Sequence, residues 1–224
     1  MFWKYFFSIC CCRRGSPGSC ATAYEVLYQV REQRTVGQYR AIDLSLFALM
    51  VMVAETLLVT AATRWFPREA YTVSVTAALT AIVMIRWGPW SAIHAFLGGL
   101  AFCLASGGSL RQFAIYCIGN ELAMLLLLFV KKKGDEYIRS DALRSMAFGG
   151  AALLLMQAGR GAVSLLFGTS LAQAAGFFTT DSVSMVFTLT VMWIVRRLDG
   201  VFENQYHYLR RIQSEREREE GGYR

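Results

Sequence analysis

The sequence predicts an all-α, polytopic membrane protein: a six-span helical bundle with cytoplasmic helical extensions at its N- and C-terminus. Three observations carry that expectation. Of 224 residues, 55% are hydrophobic and 17% are charged, against about 25% charged in an ordinary soluble domain. Mean hydropathy is +0.37. Charge is also segregated, into the first 42 residues, a block at 131–144 and the tail after 195. Between these lie long uncharged runs that a soluble core does not require.

About 20 apolar residues cross the hydrocarbon core. Runs near that length give six spans, at 43–63, 71–87, 89–106, 110–130, 142–167 and 172–195. Gly88-Pro89 breaks the helix between the second and third. Both of these are short, and a re-entrant hairpin, which keeps the same parity, is the other reading of them. Charge tests the parity. Lys4, Arg13, Arg14, Arg31, Arg34 and Arg40 precede the first span, and Lys131, Lys132, Lys133, Arg139 and Arg144 follow the fourth. Arg196, Arg197, Arg210 and Arg211 follow the sixth. Lys and Arg collect on the cytoplasmic side during insertion, and an even number of spans before each block puts all three regions inside. The expected organisation is a cytoplasmic or interfacial segment at 1–42, a six-span domain at 43–198 and a charged cytoplasmic helix and tail at 199–224. The expected location is the cell membrane, multi-pass, with both termini cytoplasmic.

The flanking segments carry weaker signals. Phe2, Trp3, Phe6, Phe7 and Ile9 read as an interfacial anchor. Arg13-Arg14 follow this stretch rather than precede it, unlike the order in a secretory signal. Val26, Leu27 and Val30 put one apolar stripe on a helix over 22–40. Val201, Tyr208, Leu209 and Ile212 recur at helical spacing, and Arg216–Glu220 alternate in sign. That tail reads either as a partner-docking helix or as a solvated extension of the sixth span. Cys10, Cys11, Cys12, Cys20, Cys103 and Cys117 show no disulfide or zinc spacing. The plain reading of Cys10–Cys12 is reduced thiols, and metal binding or lipidation is the sharper one. The net charge of +7 fits anionic lipid better than nucleic acid, for which no binding motif is present.

An ionisable group inside a span costs roughly 2.5–3.5 kcal/mol on insertion scales, so such groups mark candidate sites. Glu55, Glu121, Arg160 and Asp181 lie well inside the expected spans. With the topology above, all four fall between the midplane and the outer face, as lining a shared polar cavity would require. Asn120, Gln157, Thr179, Thr180 and Ser182 add hydrogen-bonding capacity nearby. Gln157 and Arg160 share a helix face, as do Tyr116 and Asn120. The expected substrate-binding set is Glu55, Asn120, Glu121, Gln157, Arg160 and Asp181. The plainer reading is structural, with Arg160 paired to Asp181 or Glu121 as a helix fastener. Three acids against one base still leave surplus negative charge, which points to a positive or donor-rich ligand.

The remaining residues read as packing. Trp65, Phe66, Tyr71, Trp87 and Trp90 fit interfacial aromatic belts, and His94 fits a satisfied histidine at a helix contact. Gly98-Gly99, Gly107-Gly108, Gly149-Gly150, Gly159 and Gly161 allow close helix approach. Ala41, Ser45 and Ala48 form a small-residue stripe on the first span, either for packing within the bundle or for docking another membrane subunit. There is no Walker lysine loop and no Gly-x-Ser-x-Gly elbow. The histidines, His94 and His207, form no zinc motif. No enzymatic activity, cofactor or metal is expected.

The run Arg86-Trp87-Gly88-Pro89-Trp90-Ser91-Ala92, followed by Gly98-Gly99, resembles the turn between the second and third spans in the substrate-binding S component of energy-coupling factor (ECF) transporters. Six spans with both ends inside resemble that family too, over roughly 40–200. The resemblance implies high-affinity binding of a vitamin or similar micronutrient from outside. It implies a pocket built by the outer halves of the last three spans, where Glu121, Arg160 and Asp181 fall. It also implies a transmembrane coupling subunit and ATPases as partners. The family often carries two alanines four apart on the first span, whereas here Ala48 is followed by Met52 and Ala54 by Leu58. The competing reading is a non-transport scaffold like the small six-span proteins of cell-shape machinery, because a fold does not fix a function. An intramembrane enzyme, with the acids as catalysts, is the third.

Overall fold

The computed structural model describes residues 36–66 and 72–198, with residues 201, 202, 204, 205, 208, 209, 211 and 212. The Phe2–Ile9 anchor, the Cys10–Cys12 run, most of the 22–40 helix, Tyr71 and Arg216–Glu220 lie outside them. The chain divides into two compact units, Met1–Tyr39 and Arg40–Arg224. Of the first, residues 36–39 are described, and they are helical.

The described residues are helical with no strand. The long helix α1 spans Val36–Trp65, so no break separates a helix ending at 40 from a span starting at 43. Its buried face carries Val51, Glu55 and Val59 at four-residue spacing, while Leu46, Leu49, Val53 and Leu57 are exposed. The next helix, α2 (Thr76–Trp87), is buried at every position except Arg86. Such an all-round apolar helix belongs in the middle of a bundle. A 3-10 turn at Gly88–Trp90 leads into α3 (Ser91–Ser106).

Then come α4 (Leu110–Asn120), a 3-10 stretch at Glu121–Leu125 and α5 (Leu126–Lys133). A short α6 (Asp135–Arg139) and the central α7 (Ala142–Leu166) follow. The sixth expected span is two helices, α8 (Leu171–Thr180) and α9 (Ser182–Val195), bent by 41° at Asp181. Helix α7 packs on α2, α4, α8 and α9. Phe202, in the tail that reads as either a docking helix or a solvated extension, is 2% exposed and joins the core cluster of Ile138 and Ile85.

Four helical stretches are long and apolar enough to cross a membrane: Gly37–Trp65, Thr76–Ser106, Leu110–Lys133 and Ala142–Leu166. The bent α8–α9 pair makes a fifth. Thr76–Ser106 is not one rod, however. Gly88 adopts φ 61° and ψ −121°, a left-handed conformation that favours glycine, and the chain doubles back there. A Cβ on Gly98 would lie 2.2 Å from the Thr76 side chain, whereas a straight helix would separate these residues by about 33 Å. Thus α2 and α3 are antiparallel arms of a hairpin.

Two polar contacts fasten the closed end of this hairpin to α1. Asp43 accepts from Arg86 Nε at 3.0 Å, Arg86 Nη2 at 2.9 Å and Trp87 Nε1 at 2.6 Å. His94 is buried, with Nε2 3.0 Å from the Leu44 carbonyl and Nδ1 3.3 Å from that of Trp90. Arg86 Nη1 also donates to the Val201 carbonyl at 3.1 Å, tying down the start of the tail.

Helices α4 and α7 approach closely at two glycines, where a Cβ on Gly159 would lie 2.0 Å from the Gly119 carbonyl oxygen. Gly159→Leu is expected to destabilise the bundle by at least about 3 kcal/mol, the upper end of overpacking costs. Gly176→Ala, which meets nothing within 4 Å, is expected to melt like the parent. Thermal unfolding of the purified protein in detergent checks both.

Candidate functional site

Four of the six expected site residues sit in or beside one buried polar network, in the half of the bundle away from Lys131–Lys133. Its starting point is backbone. Residues 72–75, expected to be helical, form no regular secondary structure, and Val75 (φ −95°, ψ −9°) leads into α2. Thr72-Val73-Ser74-Val75-Thr76 alternates hydroxyl-bearing and apolar side chains, a period unlike that of a helix that could have revealed this. A non-helical stretch buried in the bundle must find tertiary partners for its N–H and C=O groups, because an unpaired buried backbone group is costly.

Those partners come from α1, α8 and α9. The Val75 N–H donates to Glu55 Oε2 at 3.0 Å. The Ser74 N–H donates to Ser184 Oγ at 2.9 Å, and that hydroxyl donates to the Thr72 carbonyl at 3.1 Å. The Thr72 N–H donates to the Thr180 carbonyl at 3.0 Å. The Thr72 hydroxyl donates to Asp181 Oδ1. Glu55 is carried inward by the buried stripe of α1, and Asp181 stands at the bend where α8 gives way to α9.

Asp181 also receives Arg160, whose Nη1 donates to Asp181 Oδ2 at 2.6 Å. Both side chains are 4% exposed. Arg160 Nε donates to Asn120 Oδ1 at 2.8 Å, and Asn120 Nδ2 donates to the Ala95 carbonyl at 3.0 Å. The guanidinium lies 4.7 Å from the centre of the Tyr116 ring, which stacks on Phe102 and meets Phe177 edge-on. A planar cation between a carboxylate, an amide oxygen and a ring face is satisfied in charge, hydrogen bonding and packing together.

Two expected members stand apart. Glu121 is half-buried at the start of the 3-10 stretch and takes no part in these bonds. It lies on the flank of Ile118 and Leu125, which are exposed, so its helical phase turns it from Arg160. Gln157 is buried one turn before Arg160 without bonding to it. Ala41 and Ser45 are exposed on α1, and Ala48 is half-buried. Of the pairings considered for Arg160, the observed one is with Asp181.

Not every group in the network is satisfied. Glu55 is wholly buried, and its Oε1 has no hydrogen-bond partner. The Ser74 and Thr76 hydroxyls lie near this carboxylate, but Thr76 Oγ1 is itself unpartnered, as are Thr80 Oγ1 and Thr188 Oγ1. Thr76 and Thr80 share a face of α2, as Ser184 and Thr188 do on α9. Sequence reading missed this hydroxyl column. The i, i+4 spacing was visible, but threonine in a span usually bonds its own helix backbone. Among the described residues, no three His, Cys, Asp or Glu side chains are grouped to hold a metal ion. Cys103 and Cys117 are buried free thiols.

Comparison of the chain with protein-family models, curated proteins and solved structures finds no match.

Arg160→Ala or Asp181→Ala leaves a buried charge alone and is expected to cost about 3–5 kcal/mol. The double variant Arg160→Met/Asp181→Leu is expected to recover much of that loss. A double-mutant cycle read by thermal unfolding checks it, and additive losses would show that the two side chains do not act as a pair.

Proposed function

We propose that this chain is the membrane-embedded substrate-binding subunit of an ECF-type uptake transporter for a vitamin-like micronutrient. On this reading α2 and α3 each make one pass, giving six with the bent α8–α9 pair, and both termini are cytoplasmic. The ligand reaches the Glu55–Asp181 network from outside. A coupling subunit docks along the Ala41–Ser45–Ala48 flank of α1, and ATPases drive the cycle. Support comes from the turn that resembles the family, from the antiparallel hairpin at that turn, and from the convergence of Glu55, Asn120, Arg160 and Asp181.

The observation that carries the reading is the unpartnered Glu55 Oε1. A wholly buried carboxylate oxygen without a well-formed hydrogen bond leaves part of its desolvation penalty uncompensated. The Ser74 and Thr76 hydroxyls beside it can turn to donate to the carboxylate or to accept from a ligand. A cationic or donor-rich ligand group supplies what is missing, in keeping with two acids against one base in the network.

One observation favours the scaffold reading. Arg160 and Asp181 contact each other directly, as fasteners do, and a bound ligand then has to sit beside this pair rather than between its members.

A thermal-shift survey of vitamins and related amines separates the two readings. A true ligand at 100 times its dissociation constant stabilises by about 2.7 kcal/mol. Glu55→Gln keeps an oxygen for the Val75 N–H and is expected to stay folded while losing that shift. A neutral isostere of the ligand is expected to bind more weakly. A survey with no hit, on a protein that melts cooperatively, supports the scaffold.

A further inference from the structure

Near the lysine block, α5, α6 and α7 enclose a cleft of about 310 Å³. This is at the lower end of the roughly 300–1,000 Å³ found for small-molecule sites. Its floor is Ile138 and Phe148, both buried. Phe129 and Ala151 wall its apolar length, and Tyr137 and Arg144 stand at its polar end. Arg144 and Ala151 are two turns apart on α7, so the cleft runs along a helix long and apolar enough to cross the bilayer.

The polar end is cationic. Arg144 lies 4.2 Å from the centre of the Tyr137 ring, and Lys133 approaches the same ring at 5.5 Å. Arg144 is exposed, donates once to Ser140 Oγ at 2.9 Å and makes no ion pair among the described residues. Most of its five N–H donors therefore remain for a ligand. Around it, Lys131, Lys132, Lys133 and Arg139 outnumber Asp135, Glu136 and Asp141. Two of those acids are engaged locally, since Asp135 accepts from the Asn204 N–H and Asp141 caps α7 at Leu143.

We infer that this cleft binds one anionic phospholipid, its phosphate on Arg144 and Lys133 over Tyr137 and an acyl chain along Phe129, Phe148 and Ala151. The apolar length accounts for the chain, and the fork of Arg144 suits a phosphodiester. Juxtamembrane basic clusters meet anionic lipid in the cytoplasmic leaflet. The inference stands apart from the proposed transport function, since it uses none of the residues of the Glu55–Asp181 network.

The test is native mass spectrometry of the full chain in detergent, titrated with phosphatidylglycerol or with phosphatidylcholine of the same acyl chains. One phosphatidylglycerol is expected to be retained at least about fivefold more tightly. Arg144→Ala, at an exposed position, is expected to remove about fivefold of that preference, the effect of one basic residue at a membrane surface. Ala151→Trp is expected to fill the cleft and release both lipids. Equal retention of the two lipids, an unchanged preference in Arg144→Ala, or unchanged binding in Ala151→Trp would overturn the inference. So would equal competition by soluble glycerol phosphate, which would mean that the cleft takes no acyl chain.

Discussion

The Asp181 carboxylate joins four parts of the chain that are far apart in sequence. It lies at the 41° bend between α8 and α9, holds Arg160 of α7 and takes the hydroxyl of Thr72. Through Arg160 it reaches Asn120 of α4 and the backbone of α3. These groups are buried, so each must be satisfied from within. That requirement makes the arrangement cooperative. The non-helical residues 72–75 bond to α8 and α9 bent as they are, and the bend places Asp181 where Arg160 can meet it.

The two ends of the α2–α3 hairpin use one physical device in opposite settings. At the closed end, Gly88 turns the chain, and Asp43 gathers Arg86 and the Trp87 indole. At the open end, Glu55 and Ser184 receive the N–H groups that the non-helical segment exposes. In both places a carboxylate on α1 satisfies donors at a point where the helix stops. The buried α2 is thus located at each end by α1 rather than by apolar packing alone, which is non-directional.

The same accounting limits what the charges say about function. A buried ion pair is weak evidence for stability, because desolvation offsets most of its attraction, and Arg160 with Asp181 is explained by architecture. Glu55 is explained only by half. One oxygen caps Val75, and the other has no hydrogen-bond partner. The surplus of two acids in the sequence reading is thereby reduced to Glu55, with Glu121 outside the network.

The helical class, the presence of helices long and apolar enough to cross a membrane and the break at Gly88-Pro89 follow from the sequence, because apolar run length and proline act locally. The cost of burying charge likewise singled out Glu55, Arg160 and Asp181 without coordinates. The start of the second helix at Thr76 rather than at 71, the kink at Asp181 and the burial of Phe202 were decided by tertiary structure. In each case the deciding partner lies far along the chain, as Thr180 and Ser184 do from Thr72. A hydrogen bond across such a separation leaves no periodic signal in either segment by itself.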